Sequence, residues 1–335
     1  MKKLKILAVT VSAVILAACG GGDDDVDDNI SPNTPNAVLN SATQDVAAQE
    51  ATSTAFLPLL TSELLVGAQT TDERVLFKFA KTQVAKLPDY LRSGRSRNAL
   101  TGVVQTETLN CAAGGTLTVS SDTANANGVA AAGDSASITG NNCREMEGTI
   151  NGTLRIVINS LSGDLDSTQY NVSLAMSFEA LSVQNPQYRA SLNGPLTLVI
   201  AANGANQSTQ TFTTPSLAVS ATYANQTRTR TMTQFQATAT RTPDPQYAYV
   251  TSYQMSGSVN SSALSSQTLS FDTSSPFVVR SADSYPSSGV MRVRGATNAQ
   301  LRLTVLSNSQ VRQELDADGD GAFEESKTVS WASLL

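Results

Sequence analysis

Leu154-Arg155-Ile156-Val157-Ile158-Asn159 decides the fold class. An extended chain points successive side chains to opposite faces. Leu154, Ile156 and Ile158 therefore share one side, and Arg155, Val157 and Asn159 share the other. The same period of two recurs on both sides of this stretch. Val172, Leu174, Met176 and Phe178 alternate with Ser173, Ala175 and Ser177. Leu217, Val219, Ala221 and Tyr223 form another row, and so do Leu301, Leu303 and Val305. Gly, Asn, Asp, Ser and Pro separate the rows, which predicts roughly ten to fourteen strands with no helix among them across residues 101–335. Charged residues are only 15% of the chain, and uncharged polar residues that suit the open face of a sheet take their place. The expected fold is mainly β: a large antiparallel sheet, arranged as a sandwich or an open barrel.

One internal repeat lies inside this region. Gly148-Thr-Ile-Asn-Gly-Thr-Leu-Arg-Ile-Val-Ile158 aligns with Ala190-Ser-Leu-Asn-Gly-Pro-Leu-Thr-Leu-Val-Ile200, sharing Asn, Gly, Leu, Val and Ile. Arg294-Gly295 before Leu301 is a looser third copy. The Asn-Gly pair fits either a tight hairpin turn or a kink in a long strand, and both belong to fold architecture.

Residues 41–100 carry a different period. Thr70 and Glu73 match a capping box, and Val75, Leu76, Phe79, Gln83, Val84 and Leu87 follow at helical spacing. Pro88 is expected to end this helix or follow its last turn. The apolar run from Phe56 to Val66 reads as a second helix.

The N-terminus reads as an address. Met1-Lys2-Lys3-Leu4-Lys5 is a short cationic start, and an apolar run from Ile6 to Ala18 is too short to remain as a spanning helix. The run ends in Leu16-Ala17-Ala18-Cys19, which resembles the lipobox of bacterial lipoproteins. The resemblance implies removal of residues 1–18 and attachment of fatty acyl groups such as palmitate to Cys19. Gly20, where an aspartate would favour inner-membrane retention, implies delivery to the outer membrane. Residues 19–40 include Asp23, Asp24, Asp25, Asp27 and Asp28 and read as a solvated tether. Outside the inner membrane the compartment is oxidising, so the two remaining cysteines, Cys111 and Cys143, are expected to form a disulfide. A loop of that length contributes about 3–4 kcal/mol on the chain-entropy account.

Several chemistries are excluded at once. The chain has no histidine, which removes Ser-His-Asp and Cys-His nucleophile activation and histidine-based metal catalysis. Gly133-Asp134-Ser135-Ala136 resembles the nucleophile block of an esterase family, but those enzymes also need a histidine. No lysine occurs between Lys86 and Lys327, so the strands offer no Ser-Lys dyad. The net charge of −6 makes nucleic acid an unsuitable partner. Arg228 with Arg230, and Arg292 with Arg294, read as exposed polar strand faces.

Asp316-Ala317-Asp318-Gly319-Asp320-Gly321-Ala322-Phe323-Glu324 carries the sharpest motif. It resembles the first part of an EF-hand loop, which needs hard oxygen ligands at alternate positions and a glycine at the sixth. The resemblance implies calcium held by Asp316, Asp318, Asp320, the Ala322 carbonyl and Glu324. Lys327 stands where the bidentate glutamate belongs, and the flanks read as strands, so a plain Asp/Gly hairpin turn is the competing account.

The expected function is that of an outer-membrane lipoprotein with a non-enzymatic binding or scaffold role in the cell envelope, stabilised by calcium if the motif is used. Its partners would be the membrane, through the lipid, and an envelope protein, a glycan or a hydrophobic ligand. One alternative is a carrier of a hydrophobic molecule in a β cavity. Another is a glycan hydrolase working with two carboxylates.

Overall fold

A computed structural model describes residues 35–57, 73–95, 104–124, 129–145 and 148–335. The leader, Cys19, Thr70 and the run from 58 to 66 lie outside the described residues. Two helices come first, α1 (Gln44–Phe56) and α2 (Glu73–Arg95). Short strands follow as β1 (Gln105–Asn110), β2 (Thr116–Asp122) and β3 (Ser135–Glu145). Long strands form the middle: β4 (Gly148–Gly163), β5 (Gln169–Gln184), β6 (Tyr188–Asn203), β7 (Ser208–Tyr223) and β8 (Gln226–Asp244). Then come β9 (Ala248–Ser261), β10 (Gln267–Arg280), β11 (Ser288–Arg294), β12 (Gln300–Val305), β13 (Gln310–Asp316) and β14 (Glu325–Ser330). The strands form a single 14-stranded sheet in strict chain order. Every pairing is antiparallel, and β1 does not meet β14, so the sheet is open and is neither a sandwich nor a closed barrel. Among the described residues no helix is long and apolar enough to cross a membrane.

One face of the sheet is buried, and both helices pack into the same core as that face. α1 lies against β8 to β12, and α2 against β1 to β3 and β5 to β7. The inward rows are those the alternation predicts: Leu154, Ile156 and Ile158 on β4, and Val172, Leu174, Met176 and Phe178 on β5, are all buried. α2 buries Leu76, Phe77, Ala80, Gln83, Leu87, Tyr90 and Leu91, one stripe of a helix period. α1 meets the sheet through Ala47, Ala48, Ala51 and Ala55, whose small side chains let the helix backbone approach closely. Its last residue, Phe56, enters an aromatic cluster with Tyr253, Phe277 and the single tryptophan, Trp331.

The long strands keep one inward face only because each breaks step near its middle. On β5 the buried residues run 172, 174, 176, 178 and then switch to 181 and 183. The extra residue includes Ala180, which takes φ +48°. On β3 the switch falls at Asn142 (φ +48°) and on β8 at Gln234 (φ +48°). These are β-bulges on β3, β5 and β8, and each bends its strand and so creases the sheet. The Asn-Gly repeat is the counterpart of the crease. Asn151 Oδ1 accepts the N–H of Asn142 on the preceding strand at 2.8 Å, and Asn193 Oδ1 accepts that of Ala180 at 3.2 Å. Each following glycine makes room for the bulge on the other side. A Cβ on Gly152 would lie 2.2 Å from the Ala180 oxygen, and one on Gly194 would lie 2.6 Å from the Ser216 oxygen. The pair is thus a strand kink and not a hairpin turn.

Three local expectations need correction. The tether read over residues 19–40 does not extend to 40: Asn36 bridges Thr268, and Ala37 and Leu39 are buried in the core. Pro88 does not end α2, which continues to Arg95. Proline removes the donor for the Val84 carbonyl, and packing of the flanking turns through Leu87, Tyr90 and Leu91 carries the helix past that loss. Arg230 is not on an exposed polar face. It is 6% exposed and paired with Glu50 of α1, which is fully buried. Cys111 and Cys143 form the expected disulfide, with Cα atoms 5.4 Å apart, fastening the end of β1 to β3.

Candidate functional site

Three places gather chemistry: a buried ion pair, an acidic turn and an apolar cavity. In the first, Arg230 donates from Nε to Glu50 Oε2 at 2.6 Å and from a terminal nitrogen to Oε1 at 3.0 Å. The Ser261 hydroxyl donates to the same Oε2 at 2.7 Å. Burial alone would raise the Glu50 carboxyl, but Arg230 and Ser261 outweigh it and hold the group below its ordinary value. This pair closes α1 onto β8.

The acidic turn joins β13 to β14. Asp316, at the end of β13, is fully buried; its two oxygens accept the N–H groups of Gly319 at 2.7 Å and Gly321 at 3.0 Å. Asp318 accepts from Asp320 N–H at 3.2 Å, and Asp320 from Ala322 N–H at 2.8 Å. Glu324 accepts from Ala317 N–H at 3.0 Å. These bonds wind the turn so that one oxygen from each of Asp316, Asp318, Asp320 and Glu324 lies within 4.8 Å of the others. Four of the five expected ligand positions therefore converge through their side chains, and Ala322 lies in the same turn. The donor set is all hard oxygen and suits calcium better than a softer metal. Lys327 turns away and pairs with Asp45 of α1 at 2.6 Å.

The cavity is about 260 Å³ and opens between α2 and strands β5 to β7. From α2 it is walled by Ala80, Val84 and Ala85, small or branched residues that leave a gap to the sheet. Opposite them stand Leu174 and Met176 of β5, Leu196 and Leu198 of β6, and Phe212 of β7. The tip of the β4–β5 hairpin, Leu165, closes one end. That tip is tied to α2 by an ion pair between Asp166 and Arg92, which also pairs with Asp89 at 2.7 Å. Among the described residues the polar groups in the lining are Lys81, Tyr170 and Gln210. Burial raises the Tyr170 phenol, which keeps it a proton donor at neutral pH.

The esterase-like Asp134 is a brace: its carboxylate accepts the N–H of Ala124 at 2.7 Å and that of Ala131 at 3.0 Å. The sequence reading offered a β cavity only as an alternative and named none of its residues, because a gap depends on which residues face each other across two elements. The nearest signal was the pair of alanines, 80 and 85, beside an otherwise large-residue helix face. Comparison with protein families, with curated proteins and with solved structures found no match.

Proposed function

We propose that this chain is a lipid-tethered, non-enzymatic binding protein of the bacterial outer membrane that holds a hydrophobic molecule in the cavity beneath α2. The observation that carries the binding role is the cavity itself: an apolar hole between α2 and the inner face of the sheet, with a few polar groups at its wall. Ligand sites have this composition, and about 260 Å³ falls just below their usual range, which suits one short apolar chain. Among the described residues the lining holds no pair of acids of the kind a glycan hydrolase uses. The lipobox-like Leu16-Ala17-Ala18-Cys19 supports the tether and the location. The convergent carboxylates of the β13–β14 turn support calcium as a stabilising ion.

The test uses the mature chain with Cys19→Ser, which leaves it unlipidated. A polarity-sensitive apolar dye should bind this protein with a rise in emission. Ala85 is exposed, so Ala85→Trp should block the cavity mouth and weaken dye binding about tenfold or more without lowering Tm. No dye uptake by the parent, or equal uptake by the blocked variant, overturns the proposal.

A further inference from the structure

The cavity is a slot with two unlike ends. β5 lines it from Tyr170 to Met176, which at about 3.3 Å per residue is about 20 Å of extended chain. α2 lines it from Phe77 to Pro88, which at about 1.5 Å per residue is about 17 Å of helix. A volume of about 260 Å³ spread over that length leaves a narrow bore, the shape of an unbranched chain. Toward the crease the slot stops against aromatic rings. Phe77 lies in its wall and meets the buried Phe178 edge-on, with ring centroids 6.4 Å apart.

The other end is different. Leu165, from the tip of the β4–β5 hairpin, and Pro88 of α2 stand there. The same two residues line a second cavity of about 110 Å³. Its other walls include Leu91 and the exposed Val129, together with the paired Arg92 and Asp166. Two hollows that share a pair of side chains are separated by them. Pro88 is fixed inside a helix, whereas Leu165 is half-buried and comes from a turn, so Leu165 is the movable half of the partition. The Arg92–Asp166 ion pair lies one residue along and holds the turn against α2.

We infer that Leu165 is the end stop of the slot and determines the length of the apolar chain that the protein accepts. This rests on the reading of the cavity as an apolar binding site and adds selection by length. Each methylene that enters the slot leaves water and tightens binding by about fourfold. A chain that has reached Leu165 can go no further, so additional methylenes stay in water and add nothing. The second cavity is the space that a shorter side chain at this position opens to the ligand.

The experiment is a calorimetric titration of the mature Cys19→Ser protein with straight-chain primary alcohols, each one methylene longer than the last. In this parent, affinity should climb about fourfold per methylene and then level off at a limiting length. In Leu165→Ala the climb should continue past that limit, so the first longer alcohol binds the variant about fourfold tighter than the parent. Alcohols below the limit should bind both proteins within about twofold. Leu165→Phe keeps the stop and should not extend the limit. An extended limit in Leu165→Phe would mean that the turn has merely loosened, and it overturns the assignment. A Leu165→Ala protein with the parent's limit, or a parent with no limit, overturns it too; in each case the apolar site itself stands. If no alcohol binds the parent, the apolar site fails as well.

Discussion

Arg230 of β8 grips Glu50 of α1 with two hydrogen bonds, at 2.6 and 3.0 Å, in a place where Glu50 has no exposed surface. The two residues lie 180 positions apart in the chain. Removing one partner leaves the other charge buried without compensation, so Glu50→Gln should cost about 3–5 kcal/mol of stability. A Glu50→Leu, Arg230→Met double variant should recover most of that loss. Trp331 is in contact with Phe56 at the end of α1, so its fluorescence follows the unfolding in urea. A cost under about 1 kcal/mol for Glu50→Gln would mean the pair behaves as an exposed one.

The same carboxyl sets an acid limit. Its folded-state value lies below the unfolded one, so the unfolded chain binds the proton more readily. Its contribution is fully present above the unfolded value, about 4.3, and is lost as pH falls through the lower folded value. Stability of the parent protein should therefore drop below about pH 4, and the drop should be shallower in Glu50→Gln. Equal acid slopes in the two proteins would remove Glu50 from the account.

The crease predicts an order among glycine substitutions. Gly152→Ala and Gly194→Ala each set a methyl group under 3 Å from a neighbouring backbone oxygen, on a backbone with φ of +90° and +126°. Both should lose about 2 kcal/mol or more, from strain and from the displaced bulge. Gly204 also has positive φ, at +145°, but nothing lies within 4 Å of its added Cβ. Gly204→Ala should be the mildest of the three, and urea midpoints give the ranking directly. A Gly204 variant as damaged as the other two would show that backbone strain alone governs these sites.

The β13–β14 turn separates ion binding from folding. Asp316 is buried and caps two backbone amides, so its loss would harm the turn with or without calcium. Asp318 and Asp320 are largely on the surface and hold local amides only. Calcium at about ten times its dissociation constant should add about 1.4 kcal/mol to the parent, read as a rise in Tm. Asp318→Asn with Asp320→Asn should abolish that increment while leaving metal-free stability close to the parent. A parent protein whose Tm ignores calcium would leave the turn a plain hairpin.

The period-two rows made the sheet legible in the sequence, because a half-buried strand must alternate. The Leu76–Leu87 stripe did the same for α2, and the absence of histidine limited the chemistry before any contact was known. The lipobox-like leader, read as an export signal, pointed to a disulfide between Cys111 and Cys143. What stayed hidden depends on distant partners. Arg230 reads as surface until Glu50 is brought over it. Ala180 and Gln234 look like ordinary strand residues, since a bulge is fixed by the neighbouring strand as much as by its own. Pro88 reads as a stop because local rules weigh the lost hydrogen bond and know nothing of the sheet beneath. α1, rich in alanine and buried on most sides, has little amphipathic pattern to find.

Strict chain order in the sheet has a consequence for how the molecule comes together. Each strand finds its partner through the next connection, so pairing can zip from any hairpin with little entropy lost to long loops. The covering of the inner face obeys the opposite rule. α1 comes first in the chain, yet the strands it covers begin at β8. A chain growing from its N-terminus must therefore keep α1 waiting until those strands exist. Until α1 docks, the apolar face of β8 to β12 stands open, and that interval is when the protein is most prone to aggregate.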